Sequence, residues 1–215
     1  MRIYLGGSMS LFLLENISYK NIKYPHIKIE SKEVTFICGE SGTGKSTMLR
    51  LLNGVISPDS GMIRYLNKPL EYSNSIEFRK EVILVGQTVF LFDSTIKQNF
   101  YTYYEYRSLP KPADSDIIKY LTVCCIDIDL ETLCTTMSGG ERQRVYIAIC
   151  LSLLPKTIML DEPTSALDEH NSNQIMSNII EFCKVNDLSL IVISHNKALA
   201  NKYADRLINL SREEI

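Results

Sequence analysis

The sequence predicts an α/β domain with a mainly parallel sheet, interrupted by an inserted helical subdomain. Three observations lead there. The apolar runs Val34 to Cys38, Val82 to Val85, Thr157 to Leu160 and Leu190 to Ile193 are short, rich in branched residues and unalternating, as strands covered on both faces are. Helical patterns separate the later runs, Ser172 to Val185 being the plainest, which is the order of a parallel sheet with helical crossovers. The stretch from about Thr88 to Leu154 is instead rich in tyrosine and polar residues, contains Pro110 and Pro112, and reads as helices and loops.

Taken in order, the first thirty residues form short alternating strands, with Ile27 and Ile29 on one face. The run from Val34 ends at a glycine-rich loop, and a helix follows from Lys45 to about Asn53. Asn53-Gly54 and Pro58-Asp59-Ser60-Gly61 mark its end and a turn. We read residues 1–215 as a single domain, with 1–87 and 155–215 as its core and about 88–154 as the insertion. An apolar fraction of 45% is enough for a buried core.

Composition narrows the function classes. A net charge of −2 and the lack of any basic tract argue against nucleic acid as partner. The six cysteines include no C-x-x-C pair, and the three histidines are too scattered for a zinc site. They read as free thiols of a reducing compartment. Leu11 to Leu14 is too short for a signal-peptide core. The longest apolar-leaning stretch, Val145 to Leu154, falls short of the ~18 residues that span a bilayer. Work at a membrane would therefore need docking onto another chain.

The strongest chemical signal is Gly39-Glu40-Ser41-Gly42-Thr43-Gly44-Lys45-Ser46, the pattern G-x-x-x-x-G-K-[ST] placed after a strand and before a helix. Its glycines let successive backbone N–H groups turn inward around phosphate oxygens. The helix that follows presents its positive end to an anion. Lys45 adds a point charge for the β and γ phosphates, Ser46 is a natural Mg²⁺ ligand, and Thr47 reaches toward the α phosphate.

Two further segments carry chemistry. Thr157-Ile158-Met159-Leu160-Asp161-Glu162 is an apolar strand ending in two acids. Asp161 can reach the Mg²⁺ shell, and Glu162, on the other side, can polarise an attacking water. Without the upstream phosphate loop, the same pair would read as a helix N-cap. Ser138-Gly139-Gly140-Glu141 opens an apparent helix running to Leu154. By itself this is a capped helix start, Ser138 as N-cap and Glu141 completing a capping box, and it also forms a second anion-binding surface.

Read together, these segments resemble the nucleotide-binding domains of the ABC ATPase family over essentially the whole chain. Met137-Ser138-Gly139-Gly140-Glu141 looks like the family signature. Leu160 to Asp168 is similar to its Walker B segment and the following D-loop. Gln87, after the strand ending at Val85, falls where the Q-loop glutamine belongs, and His195 matches the switch histidine. The resemblance implies a P-loop NTPase core with a mainly parallel sheet, an N-terminal antiparallel β subdomain and an inserted helical subdomain. It further implies ATP and Mg²⁺ as cofactors and a head-to-tail dimer with a second copy of the chain. Each ATP would lie between the phosphate loop of one subunit and the signature of the other. Glu162 would be the catalytic base, and His195 would contact the γ-phosphate. Gln87 would join Mg²⁺ and water to the helical subdomain. For the aromatic residue that stacks on adenine, Tyr19 and Tyr24 both stand as candidates, and Lys32 occupies a turn position where the family commonly has glycine.

The family offers three functional classes. The first is the ATPase subunit of a transporter, bound to a separately encoded multi-span permease and so held on the cytoplasmic, inner face of the cell membrane. The second is a soluble ATPase acting on nucleic acid or ribosomes, which usually carries coiled coils, zinc modules or tandem cassettes that this chain lacks. The third is a non-hydrolysing regulatory module, against which Glu162 and His195 argue. The apolar loop Val89-Phe90-Leu91-Phe92 favours the first as a docking patch. Val85 to Thr95 resembles the same stretch in exporters and in small stand-alone subunits of the iron-export type, which gives metal-ion export as the expected cargo class.

Overall fold

The computed structural model describes residues 10–70, 75–165 and 167–211; of the motif residues above, Ala166 lies outside them. Strand β1 (Ser10–Tyr19) pairs antiparallel with β2 (Ile22–Lys23), β3 (Ile27–Glu30) and β5 (Ser60–Tyr65), and β5 pairs with β6 (Lys68–Pro69). The antiparallel part is thus larger than the first thirty residues, because β5 and β6, beyond the phosphate loop, return to complete it. A second, wholly parallel sheet runs in the order β10 (Arg206–Leu210), β4 (Val34–Gly39), β9 (Ser189–Ile193), β8 (Thr157–Asp161), β7 (Val82–Val85).

The predicted parallel strands all form, and their lack of alternation has a direct cause. Successive side chains point to opposite faces, and both faces of this sheet are covered. In β9, Leu190 and Val192 enter one buried cluster while Ile191 and Ile193 enter the other. In β8, Ile158 and Leu160 face the first and Met159 the second. The second cluster lies between the sheet, α1 (Lys45–Leu52) and the antiparallel strands, with Phe12, Leu14, Met48 and Leu52 fully buried. The first lies under α5 (Gly139–Ser152) and α6 (Glu169–Val185). Strand β10 is not among the predicted strands: it is an edge strand whose residues alternate between exposed and covered, so it lacks the continuous apolar run of its neighbours.

Between β7 and β8 the chain forms α3 (Ile96–Tyr106), α4 (Asp114–Val123), a 3₁₀ turn at Cys134–Thr136 and then α5. The inner half of α5, from Val145 to Leu151, shares the buried cluster of the parallel sheet, so this helix is continuous with the core it leaves. The start of the insertion is held by Asn99, which is fully buried. Its Oδ1 accepts the Phe92 N–H at 2.8 Å. Its Nδ2 donates to Ser94 Oγ and Thr95 O, each at 3.0 Å, and to Cys134 Sγ at 3.4 Å. The Cys134 N–H returns to Ser94 O at 2.9 Å. One amide thereby ties the loop that follows Gln87 to the segment that leads into Ser138.

Replacing Asn99 with Leu would strand several buried partners, and each unsatisfied group costs about 1–3 kcal/mol. We expect Asn99→Leu to lose at least ~2 kcal/mol in urea denaturation; a midpoint equal to wild type would show that the network contributes nothing.

Candidate active site

The parallel strands deliver the predicted site residues to one edge of the sheet. In-register pairs such as Ile37 with Ile193, Asp161 with Ile193 and Val85 with Leu160 bring the strand ends level. Following β4, β9, β8 and β7, that edge carries the phosphate loop, His195, Asp161 with Glu162, and Gln87. Ligand sites of open α/β sheets lie at this carboxyl edge.

The phosphate loop is shaped by its glycines and its lysine. Gly39 has φ 152°, and a Cβ there would lie 2.3 Å from the Leu210 carbonyl oxygen of β10. Gly44, with φ 86°, is the N-cap of α1. Thr43 Oγ1 donates to Glu40 O at 2.9 Å across the loop. Lys45 is buried, and its Nζ donates to the carbonyls of Gly39 at 2.9 Å and Glu40 at 2.7 Å. Side chains cap α3, α5, α6 and α7 (Lys197–Tyr203) through Thr95, Ser138, Asp168 and Asn196. Helix α1 has no side-chain cap and no acid in its first turn. Its first N–H groups therefore remain free for an anion, worth ~0.3–1 kcal/mol from the helix field even when exposed.

Asp161 is the buried acid of the site, 7% exposed. Burial raises its carboxyl above the ordinary range, and Glu162 beside it adds to that; the Ser46 hydroxyl, the Gln87 amide and Arg50 pull the other way. Its Oδ1 has no hydrogen-bond partner. A buried carboxylate oxygen left over next to a hydroxyl and an amide is a hard oxygen donor set, which suits Mg²⁺ held by one carboxylate plus substrate phosphates. Ser46, Gln87 and Asp161, the three predicted metal ligands, are thus brought together, and they fit the ion.

Glu162 turns away from Asp161 because its backbone is left-handed, φ 54°, while its N–H stays bonded to Ile193 O at 3.1 Å. Its Oε1 meets His195 Nε2 at 2.8 Å. A cavity of about 590 Å³ opens over this pair, lined by Thr164, Ser165, Ser194 and Asn196 among others.

The signature segment is elsewhere. Ser138 and Glu141 form the predicted capping box: Glu141 Oε2 accepts from Ser138 N–H at 2.8 Å and Oγ at 2.7 Å, and Glu141 N–H donates back to Ser138 Oγ at 3.3 Å. These bonds hold the Glu141 carboxyl below its usual range. A Cβ on Gly139 would meet nothing within 4 Å, and one on Gly140 only the tip of Arg144 at 3.5 Å. The fold of this chain does not require glycine at either position. Among the described residues, no hydrogen bond links Ser138–Glu141 to the phosphate loop.

The structure removes one candidate for stacking on adenine. Tyr24 is buried, 5% exposed, and its hydroxyl donates to Gly44 O at 2.9 Å beneath the phosphate loop, so its ring has no free face. Burial pushes that hydroxyl far above its usual pKa. Tyr19, half-buried at the end of β1 with the Lys20 ammonium 5.4 Å from its ring, remains. Lys32 does adopt the glycine-like conformation of its turn, at φ 61°. Pairing alone could not separate the two tyrosines, because the contact that buries Tyr24 comes from residues 20 positions away.

The family model described as ABC transporter matches residues 22–165. The probable iron export ATP-binding protein FetA of Escherichia coli (strain K12) is 29% identical over 206 residues, 93% of this chain and 91% of that protein. The hemin import ATP-binding protein HmuV of Photobacterium damsela subsp. piscicida is 31% identical over 227 residues, 100% of this chain and 79% of that one. The solved dimeric structure of MJ0796, a bacterial ABC transporter cassette, superposes with a TM-score of 0.82 at 25% identity, over 93% of this chain and 94% of that one.

The raised carboxyl of Asp161 gives a pH-dependent prediction. Above its folded pKa the buried charge costs stability, and the fold regains that stability as pH falls and the carboxyl protonates. Asp161→Asn without nucleotide should therefore melt higher than wild type at pH 7, with the gain vanishing as pH approaches the ordinary carboxylate value of about 3.9. A variant that melts lower at pH 7 would contradict the unpaired buried charge.

Proposed function

We propose that this chain, which belongs to the ABC transporter ATP-binding family, hydrolyses ATP between two copies of itself and so drives a separately encoded membrane permease. One observation carries the hydrolytic part: Glu162 and His195 are paired at 2.8 Å on the sheet edge, next to the buried Asp161 and in line with the phosphate loop.

In this reading the phosphate loop binds the nucleotide through its backbone N–H groups and Lys45, which exchanges its two carbonyl partners for phosphate oxygens. Ser46, Asp161 and Gln87 hold Mg²⁺, which when bound offsets charge on the β and γ phosphates. The Glu162 carboxylate, held through Oε1 by His195, accepts the proton of the attacking water. His195 fixes the direction in which that carboxylate faces, and would turn its N–H to the γ-phosphate once nucleotide is bound. Asp161, Glu162, Gln87 and His195 sit at or just past the ends of parallel strands, and Lys45 and Ser46 in the first turn of α1, which keeps the geometry stiff.

Two features support a shared site. Gly139 and Gly140 carry no side chain where this chain has room for one, as expected where a second molecule comes close. MJ0796, which resembles the chain over nearly its whole length, is dimeric. Ser138 and the start of α5 would then meet the γ-phosphate held by the partner copy.

Attachment to a permease is supported by the aromatic group after Gln87. Phe90 and Tyr106 are 62% and 68% exposed, and Phe92 packs between Phe90, Tyr103 and Tyr106 at 5.2, 6.1 and 6.2 Å. An exposed apolar patch of this kind suits a protein partner. Among the described residues no helix is long and apolar enough to cross a membrane. FetA is named for iron export and HmuV for hemin import; metal-ion export follows from the first likeness, while the choice of cargo rests with the permease.

Glu162→Gln keeps the shape of the site and removes the base. We expect ATP to bind as in wild type and turnover to fall ~10²–10⁴-fold. Turnover within a factor of about two of wild type would overturn the role of Glu162.

A further inference from the structure

The most closely fitted contact beneath the phosphate loop involves Tyr24, a residue the hydrolytic mechanism does not use. The Gly44 carbonyl accepts two hydrogen bonds, from Met48 N–H at 2.8 Å and from Tyr24 Oη at 2.9 Å. The first is the ordinary opening bond of helix α1. The second comes from the connection between β2 and β3, where Tyr24 is buried and its own N–H is anchored on Ile17 O at 2.9 Å.

The peptide joining Gly44 to Lys45 is planar and trans, so its N–H points opposite to its C=O. With the C=O held down by two donors under the loop, the Lys45 N–H is aimed into the cradle. Were that peptide to turn over, a carbonyl oxygen would face the phosphate in place of a donor. Glycine makes such a turn cheap, and glycine is unavoidable here: φ is 86°, and a Cβ would lie 2.8 Å from Tyr24 Oη and 3.0 Å from Ile22 Cδ1. The residues that force glycine at position 44 therefore also supply the restraint that its freedom calls for.

We propose that Tyr24 is a positioning residue of the phosphate loop, its hydroxyl fixing the Gly44–Lys45 peptide so that the Lys45 N–H faces the nucleotide phosphates. This rests on the ATP-binding reading above and assigns the N-terminal sheet a part in nucleotide affinity. Tyr24 acts through the backbone and touches no substrate atom. Phenylalanine would fill the same volume, so the hydroxyl can be removed without opening a cavity.

The test compares Tyr24→Phe with wild type and with Ile29→Val, a fully covered core change in neighbouring β3 that leaves the loop untouched. ATP and ADP affinities are measured by titration calorimetry, KM and kcat by phosphate release, and Tm by calorimetry. We expect Tyr24→Phe to raise Kd and KM about 3- to 10-fold, the scale of one hydrogen bond, with kcat at saturating ATP within about twofold of wild type. Ile29→Val should leave Kd unchanged. Unchanged Kd in Tyr24→Phe, an equal rise in Ile29→Val, or a fall in kcat at constant KM would each overturn the proposal. Failure of the ATP-binding reading is seen separately, as wild-type ATP affinity in Lys45→Ala.

Discussion

Helix α1 begins at the end of a buried parallel strand with its first amides unclaimed by any side chain. A helix start in that condition is unsatisfied until an anion reaches it, and much of the surrounding architecture follows from keeping it so. Strand β4 must end level with its neighbours to place the loop at the sheet edge. The loop must then turn back over its own carbonyls, which Lys45 bridges. Tyr24 and Ile22 close the underside of the loop at Gly44, within the buried cluster shared with the antiparallel strands.

The same edge stores destabilising features that a purely structural fold would avoid. Asp161 keeps an unpaired oxygen in a buried position, and Glu162 sits in a left-handed backbone conformation that side chains rarely adopt. Both lie at the end of β8, a strand whose every residue is buried. The two fully covered faces of the sheet supply the stability that holds them, in the way strained functional groups usually rest on rigid elements.

Much of this was legible before any coordinates. The four buried strands announce themselves because burial on both faces removes polar alternation, and the phosphate loop and the acids after β8 are local patterns. The capping box at Ser138 and Glu141 is likewise a matter of spacing along one helix. What escaped depends on contacts between distant segments. Tyr24 and Tyr19 are equivalent in the sequence because Tyr24's partner, Gly44, lies 20 positions away in the loop after β4. The role of Asn99 appears only when Ser94, Thr95 and Cys134 converge on it. Strand β10 is hidden because its residues alternate between exposed and covered, so it carries no continuous apolar run.

In the proposed function the site is completed by a second copy, since among the described residues no hydrogen bond joins Ser138 and its open glycines to the phosphate loop. The most direct measurement is the light-scattering mass of Glu162→Gln at saturating Mg²⁺ and ATP, alone and combined with Ser138→Arg. The account predicts that the mass doubles from 24.5 kDa in the single variant and stays at 24.5 kDa in the double one. A single variant that remains at 24.5 kDa with ATP bound, or a double variant that dimerises equally well, would contradict it.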